Sequence, residues 1–295
     1  MSLTLYIVDV FAEEKYAGNQ LAVVRGAGGL DTATMQRIAQ EIHFSETTFI
    51  LSDEERDGGY DVRIFTASDE LRFAGHPTLG TAYIIQQHIL GIPFEKVTLN
   101  LKVGPVPVTF TYQDGAPDVL WMRPQPAQFG PEADGAALAT ALGLSAADVD
   151  ARFPVQAVSV GEPFVILPLR TLDAVRRARV DPEPYLAAAR AIGGRWAFFF
   201  CPETENPANH LHARMVAVDK NGPWEDPATG SANCCLAAWL SRHRYFGSAA
   251  VDARVEQGYE MGRPSLLHLR AAPDGDGIAV DVGGRVFPVA QGTLL

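Results

Sequence analysis

The chain has 295 residues, of which 47% are hydrophobic and 20% charged, a composition that excludes a disordered or fibrous protein and allows two domains of ordinary size. The formal net charge of -11 argues against a nucleic-acid surface, which needs clustered Lys and Arg. The longest apolar runs, such as Trp196 to Cys201, are far too short to cross a membrane. We therefore expect a soluble globular protein that binds neither nucleic acid nor membrane.

The first half of the chain predicts strands on both sides of a helix. Gly18-Asn19-Gln20 is a turn that leads into the apolar strand Leu21 to Val24, and the preceding strand runs from Leu3 to near Phe11. Asp31 is placed to cap a helix whose apolar residues recur at helical spacing. The elements that follow are strands at 47–51 and 60–65, a helix at about 78–90, and hairpin strands at 97–101, 106–112 and 119–122.

Prolines and a glycine between 124 and 131 mark a linker, after which the pattern starts again. The sequence therefore predicts two lobes, 1–125 and 126–295. The elements predicted for the second lobe are a helix at about 134–142, strands at 155–160, 164–169, 195–201 and 211–218, a helix that ends near 242, and strands around 255 and at 266–270, 278–282 and 286–289.

An internal repeat supports the two lobes. Gly75-His76-Pro77-Thr78-Leu79-Gly80-Thr81-Ala82 is similar to Glu225-Asp226-Pro227-Ala228-Thr229-Gly230-Ser231-Ala232, and each precedes an apolar helical run. Two other landmarks recur in the same order, Gly18-Asn19-Gln20 with Gly161-Glu162-Pro163, and Arg63-Ile64-Phe65 with Arg214-Met215-Val216. We expect an α+β fold of two pseudo-symmetric lobes, each a curved, mostly antiparallel sheet around a central helix, with an active-site cleft between them.

The two similar segments also have the features of helix entrances. Pro77 and Pro227 suit the first helical position, and His76 and Asp226 precede them as potential caps. Because backbone N–H groups at a helix start favour bound anions, the entrances are candidates for holding a substrate carboxylate.

Four motifs stand in order along the chain: Gly18-Asn19-Gln20, Ser45-Glu46-Thr47-Thr48-Phe49, the segment from Phe73 to Gly80, and the segment from Glu225 to Ala232. Together they resemble those of the PhzF-like phenazine-biosynthesis isomerase family, and the resemblance spans essentially the whole chain. It implies a fold like that of diaminopimelate epimerase, with two lobes that close on a ligand, and a homodimer.

By this resemblance Glu46 is the catalytic acid and base. A solvated turn residue or half of a capping box is the alternative, but the box fails because a β-branched strand and not a helix follows Glu46. A glutamate works best in proton transfer when its pKa is raised toward the working pH, and we hypothesise that an apolar cleft containing Phe44 and Phe49 raises the pKa of Glu46.

The resemblance also implies roles for both helix entrances. His76 is a polar or proton-carrying partner, and Asp226 accepts a hydrogen bond from an amino or hydroxyl group of the ligand, although helix capping alone would also explain both residues. The implied substrate-binding residues, which offer hydroxyl or backbone N–H groups or lie on the cleft, are Asn19, Gly75, Gly230 and Ser231.

The chain departs from the two-base epimerases of the related fold, which use one cysteine from each lobe at these entrances. Ala74 stands at the first entrance, and no cysteine precedes Ser231 at the second. Cys234 and Cys235 lie a turn into the helix, where we expect them, like Cys201, to be buried core residues in a reducing compartment. Proton relocation by one base on a single face is favoured over inversion by paired thiols.

Other signals are weak. His210 and His212 alternate on a strand but have no third metal ligand at a useful spacing, so no metal site is expected. The chain has neither a phosphate-binding glycine motif nor a Gly-x-Ser-x-Gly elbow. Nothing requires an organic cofactor, and the absence of an export signal makes a cytoplasmic location the default expectation.

The leading hypothesis is a cofactor-independent isomerase that moves a proton on a small carboxylate-bearing metabolite, by resemblance a dihydro-hydroxyanthranilate-like compound. One alternative is an amino-acid or hydroxy-acid epimerase or racemase that uses Glu46 with His76 or Asp226 as the second base. The other is a small-molecule binding protein without turnover.

Overall fold

The computed structural model describes residues 3–295, and the secondary structure is mainly strand. In chain order the strands and α-helices are β1 (Leu3–Val10), β2 (Asn19–Arg25), α1 (Thr32–Ile42), β3 (Glu46–Ile50), β4 (Tyr60–Phe65), β5 (Glu70–Leu71), α2 (Gly75–Ile85), β6 (Lys96–Leu101), β7 (Gly104–Gln113), β8 (Ala116–Met122), β9 (Gln128–Ala133), α3 (Ala136–Ala141), β10 (Val155–Ser159), β11 (Pro163–Pro168), α4 (Leu172–Arg177), α5 (Pro182–Ala191), β12 (Trp196–Cys201), β13 (Leu211–Asp219), β14 (Gly222–Asp226), α6 (Gly230–Arg242), β15 (Val251–Gln257), β16 (Ser265–Asp274), β17 (Gly277–Gly284) and β18 (Val286–Leu294).

The described chain forms two compact units. Unit 1 comprises residues 3–123 together with 283–295, and unit 2 comprises residues 124–282. The C-terminal segment lies in unit 1 because β18 pairs antiparallel with β1, from Leu3 opposite Leu294 to Val10 opposite Val286.

Each unit contains the same succession of strand pairings. In unit 1, β1 is antiparallel to β2, β2 is parallel to β3, and β3 is antiparallel to β4, which pairs antiparallel with β5 and parallel with β6. In unit 2, β10 to β15 repeat these five pairings in the same order and with the same directions. The pairings are mostly antiparallel, as predicted, and the repeat in the sequence is a repeat of topology.

A buried helix follows the β4–β5 and β13–β14 hairpins in their respective units. Both helices, α2 and α6, are apolar on nearly all sides, as expected of a helix enclosed by the rest of its unit. Gly80 lets α2 approach the sheet closely, since a Cβ there would lie 2.6 Å from Leu21 Cδ2 and 2.9 Å from Val10 Cγ2. The predicted α+β class is confirmed.

The predicted helix after Asp31 is also confirmed. It is α1, and the Asp31 carboxylate accepts a 2.7 Å hydrogen bond from the Thr34 N–H. Sequence analysis did not predict α4 and α5, which pack in the core of unit 2 through Val175 and Tyr185. Within residues 3–295, no helix is both long and apolar enough to span a membrane.

Candidate active site

Four predicted site residues, Asn19, Glu46, Gly75 and His76, lie together in unit 1, and we call them the first cluster. The parallel pairing of β2 and β3 places Leu21 opposite Glu46, so that Asn19 and Glu46 belong to the same end of the sheet. Gly75 and His76 are the first two residues of α2, and a hydrogen bond between His76 and the backbone of Gln20 places the helix start beside β2.

His76 and Glu46 form the central contact of this cluster. His76 Nε2 lies 3.3 Å from Glu46 Oε2, and the two side chains are 6% and 16% exposed. Burial lowers the pKa of His76 to about 3, and the hydrogen bond to Gln20, which favours the charged form, only partly opposes this. The imidazole is therefore neutral at ordinary pH, and the contact is not an ion pair.

The neutral imidazole has a defined tautomer. The nitrogen that bonds the Gln20 backbone carries the proton, because a carbonyl oxygen can only accept. Nε2 lies near the Glu46 carboxyl group, but the 3.3 Å contact is not a hydrogen bond. The pair thus places an imidazole nitrogen beside a carboxyl oxygen.

Asn19 and Gly75 complete the first cluster. Asn19 is buried and begins β2 directly after Gly18, whose φ of 67° is in the left-handed region. A Cβ at Gly18 would lie 2.4 Å from the Val10 carbonyl oxygen, so the turn before Asn19 requires glycine. Gly75 is buried at the first position of α2.

The expected arrangement of the first helix entrance is wrong in detail. The N-cap is Ala74, without a side-chain cap, and α2 begins at Gly75 so that Pro77 lies inside the first turn. His76 is therefore a helical residue and not a cap. Its side chain bonds the Gln20 backbone and contacts Glu46 instead.

Three predicted residues, Asp226, Gly230 and Ser231, lie in unit 2 and form the second cluster. Asp226 is the last residue of β14, paired with Met215, while Gly230 and Ser231 are the first two residues of α6. Asp226 is not the N-cap, which was the simpler expectation; that position belongs to Thr229. The Thr229 hydroxyl donates a 2.5 Å hydrogen bond to Asp226 Oδ2.

Sequence reasoning missed three residues that hold these clusters. Gln20 acts through its backbone, and Thr229 lies inside the quoted motif but was not singled out. Gln257, at the end of β15, donates a 2.9 Å hydrogen bond to the Asp226 carbonyl oxygen across 31 positions of sequence. No motif marks Gln257, which ends a strand of mixed polar and apolar residues.

The paired arginines of the repeat have equivalent structural roles. Arg63 on β4 donates two hydrogen bonds of 2.7 Å to Glu70 on β5. Arg214 on β13 donates two of 2.8 Å to Glu225 on β14. In each unit a forked arginine–carboxylate pair joins the two strands of the hairpin that precedes the buried helix.

His210 and His212, the two histidines that alternate on β13 and the residue before it, do not form a metal site. Both ring nitrogens of His212 are engaged by carboxylates, Nδ1 by Glu256 at 2.9 Å and Nε2 by Glu260 at 3.0 Å. Burial alone would lower the pKa of His212, but the two carboxylates outweigh it and raise the pKa to about 9. Within residues 3–295 no group of three or more His, Cys, Asp or Glu side chains is arranged to hold a metal.

The three cysteines are buried, as expected. Burial raises the pKa of Cys201 and of Cys235 to about 12 and that of Cys234 well above its ordinary value. None carries appreciable thiolate at neutral pH, which is the form that removes protons.

Comparison with known proteins agrees with the sequence motifs and the fold. The family of phenazine biosynthesis-like proteins, PhzC-PhzF, matches residues 8–292. A protein of Mesorhizobium japonicum described as an uncharacterized isomerase is 36% identical over 98% of this chain and 97% of its own length. The trans-2,3-dihydro-3-hydroxyanthranilate isomerase of Pseudomonas aeruginosa is 33% identical over 97% of each chain.

Solved structures extend the likeness to the fold. The phenazine biosynthesis protein of the PhzF family from Bacillus anthracis superposes with a TM-score of 0.89 at 26% identity, covering 100% of this chain and 99% of its own. A hydroxyproline epimerase from Agrobacterium vitis shares the fold at 12% identity, with a TM-score of 0.63 over 99% of this chain and 91% of its own. Since the family match covers nearly the whole chain and its relatives are isomerases, this protein belongs to the PhzC-PhzF family of phenazine biosynthesis-like proteins and is an isomerase.

Proposed function

We propose that this isomerase moves a proton between two carbons of one small carboxylate-bearing substrate, using Glu46 as the only base and no cofactor. The Glu46 carboxylate takes the proton as a C–H bond breaks, and the electron pair passes into the adjacent unsaturated system. The same proton then returns from Glu46 to the far end of that system, where a new C–H bond forms. The substrate changes its bond positions but gains and loses no atoms.

The observation that carries this proposal is the contact between Glu46 Oε2 and His76 Nε2 at 3.3 Å. Because the buried imidazole is neutral, it sets a polar group but no second charge beside the Glu46 carboxyl group. Glu46 is also partly exposed, at 16%, whereas His76 is almost fully buried. Glu46 is therefore the member of the pair that a substrate reaches, and His76 is its proton partner.

The remaining predicted residues are proposed to bind the substrate. Neither Ala74 nor Thr229 caps its helix through a side chain, so the first-turn N–H groups of Gly75 and of Gly230 and Ser231 suit a substrate carboxylate. Asp226 is proposed to accept a hydrogen bond from an amino or hydroxyl group, and Asn19 to contact the ligand. The homodimer and the cytoplasmic location stay predictions.

The name of the Pseudomonas aeruginosa relative suggests the first compound to test, trans-2,3-dihydro-3-hydroxyanthranilate. Wild-type protein and Glu46→Gln are incubated with it in heavy water, and the bond shift and deuterium uptake are followed by NMR. We expect the variant to lose about 10²–10⁴-fold in rate, the usual contribution of a positioned acid or base. Glu54→Gln, which changes an exposed carboxylate, is the matched control and should keep the wild-type rate.

The same experiment separates the alternatives. Wild-type turnover that survives in Glu46→Gln would exclude Glu46 as the base. Loss of optical purity without a bond shift would indicate an epimerase or racemase. Binding without exchange across a panel of small carboxylates would indicate a binding protein.

A further inference from the structure

A buried side-chain network surrounds Asp226 in unit 2. Gln257 is fully buried, and its amide makes four hydrogen bonds. Its Nε2 donates to the Asp226 carbonyl oxygen at 2.9 Å and to Thr229 Oγ1 at 3.1 Å. Its Oε1 accepts from the Thr229 N–H at 3.2 Å and from Asn233 Nδ2 at 3.0 Å. Every donor and acceptor of the Gln257 amide is thus used.

Main-chain groups fix the direction of each bond in this network. The Asp226 carbonyl can only accept and the Thr229 N–H can only donate, so the Gln257 amide has a single possible orientation. The Thr229 hydroxyl accepts from Gln257, and its single proton is therefore directed to Asp226 Oδ2. The distance of 2.5 Å is typical of a hydroxyl that donates to an ionised carboxylate.

The repeat shows that this network is specific to unit 2. When Arg63 is aligned with Arg214, the β4–β6 register pairs Asp61 with Asn100, as the β13–β15 register pairs His212 with Glu256. The residue after Asn100 on β6 is Leu101, and the residue after Glu256 on β15 is Gln257. In the repeated motif, likewise, Leu79 corresponds to Thr229. Unit 1 has buried leucines at both positions where unit 2 has hydrogen-bonding side chains.

We propose that Gln257 and Thr229 are positioning residues that hold Asp226 as a fixed hydrogen-bond acceptor, so that it selects substrates presenting an ammonium, amino or hydroxyl donor. The inference rests on the proposed function, in which Asp226 binds the substrate. Gln257 orients the Thr229 hydroxyl, and the hydroxyl in turn donates to Asp226 Oδ2, which holds the carboxylate in place as an acceptor for a donor group of the substrate.

The test compares Thr229→Val, which keeps the shape but removes the hydroxyl, with Thr229→Ser, which keeps the hydroxyl. Gln257→Leu installs the residue that unit 1 carries at the equivalent position. Binding of 3-hydroxyanthranilate, an aromatic compound with amino, hydroxyl and carboxylate groups, is measured by calorimetry, and KM and kcat are measured with the dihydro compound. Thermal unfolding of each variant identifies any that does not fold.

We expect Thr229→Val and Gln257→Leu to bind the probe at least tenfold more weakly and to raise KM more than they lower kcat, while Thr229→Ser stays within about twofold of wild type. In an Asp226→Asn background, Thr229→Val should have less than a twofold further effect, because the hydroxyl acts through the carboxylate. Equal binding, or equal absence of binding, in wild type, Thr229→Val and Thr229→Ser would overturn the inference. Activity of Glu46→Gln at the wild-type rate would overturn the proposed function instead, and the binding comparison would still decide on the positioning residues.

Discussion

His76 and Asp226 stand at the same place in the two repeats, but the residues around them differ in kind. His76 bonds a main-chain group at Gln20 and contacts one carboxyl group, that of Glu46. Asp226 is held by hydrogen-bonding side chains, Thr229 and Gln257, in a network with every proton directed. His76 thus lies beside a second titratable group, whereas the side chains that hold Asp226 are neutral.

The difference extends to buried charge. His212 in unit 2 is a cation between two carboxylates, while its repeat equivalent in unit 1 is Asp61, which accepts a hydrogen bond from the neutral Asn100 at 3.1 Å. The buried histidine of unit 1, His76, is neutral. Unit 2 thus uses charged groups to fix its structure, whereas unit 1 keeps a neutral imidazole where the proposed reaction moves a proton.

Substitution of Glu256 is expected to have the largest effect on the free energy of unfolding. It tests whether the stability of unit 2 depends on its buried charges. Glu256 accepts hydrogen bonds from His212, from the Glu205 and Asn206 N–H groups, and from Asn209. Glu256→Gln should lower the free energy of unfolding by about 3–5 kcal/mol, since it removes one of the two carboxylates that compensate the buried His212 cation and weakens four hydrogen bonds. Denaturant unfolding measures this, with Asp61→Asn in unit 1 as the control, expected to cost about 1 kcal/mol or less.

The two forked arginines give the next largest difference. The Arg214 side chain is 7% exposed and also donates to the Val175 and Ala178 carbonyl oxygens, whereas Arg63 is 22% exposed. We expect Arg214→Met to lower the free energy of unfolding by about 3 kcal/mol and Arg63→Met by about 1 kcal/mol. Equal losses in urea unfolding would contradict the view that unit 2 depends more strongly on buried charge.

The two histidines should give opposite pH dependences of stability. The pKa of His76 is lowered to about 3, so the unfolded state binds more protons between pH 3 and 6.5 and stability falls on acidification through that range. The pKa of His212 is raised to about 9, so its contribution is complete below pH 6.5 and is lost as pH rises through 9. Each slope is at most about 1.4 kcal/mol per pH unit.

Unfolding free energies measured from pH 4 to 9 check these slopes. His76→Asn should flatten the acid side and leave the alkaline side unchanged, whereas His212→Asn should flatten the alkaline side. A variant that flattens the other side would show that the two protonation states are assigned the wrong way round.

The smallest expected effect concerns the cysteines. Because all three thiols are buried with raised pKa values, iodoacetamide at pH 7.5 should leave the native protein unmodified and its activity unchanged. Mass spectrometry gives the modified fraction. Inactivation that follows modification of Cys234 or Cys235 would restore the two-thiol epimerase to consideration.

Local sequence patterns predicted much of the fold. Asp31 followed by apolar residues at helical spacing predicted α1, and the repeated motifs anticipated the shared order of strand pairings. The helix starts were wrong because distant contacts decide them. Asp226 stays in β14 opposite Met215, and the Thr229 N–H is bonded to Gln257. Neither partner lies near the motif in sequence, so no local pattern could indicate them.

For the predicted site, too, the properties that matter depend on tertiary packing. His76 and Glu46 meet because two parallel strands and a helix start share one end of the unit. The neutral state of His76 depends on complete burial, and the role of Gln257 depends on the β13–β15 register. Both are properties of tertiary packing that composition and spacing do not encode.

The pairing of β18 with β1 has a consequence for biosynthesis. Since synthesis runs from the N-terminus, β1 gains its β18 neighbour only after all of residues 124–282 have been made. Unit 2 is continuous in sequence and can complete its sheet earlier. We expect the nascent chain to hold an unfinished edge of unit 1 throughout synthesis of unit 2, which makes β1 the segment that chaperones protect and that premature termination leaves exposed.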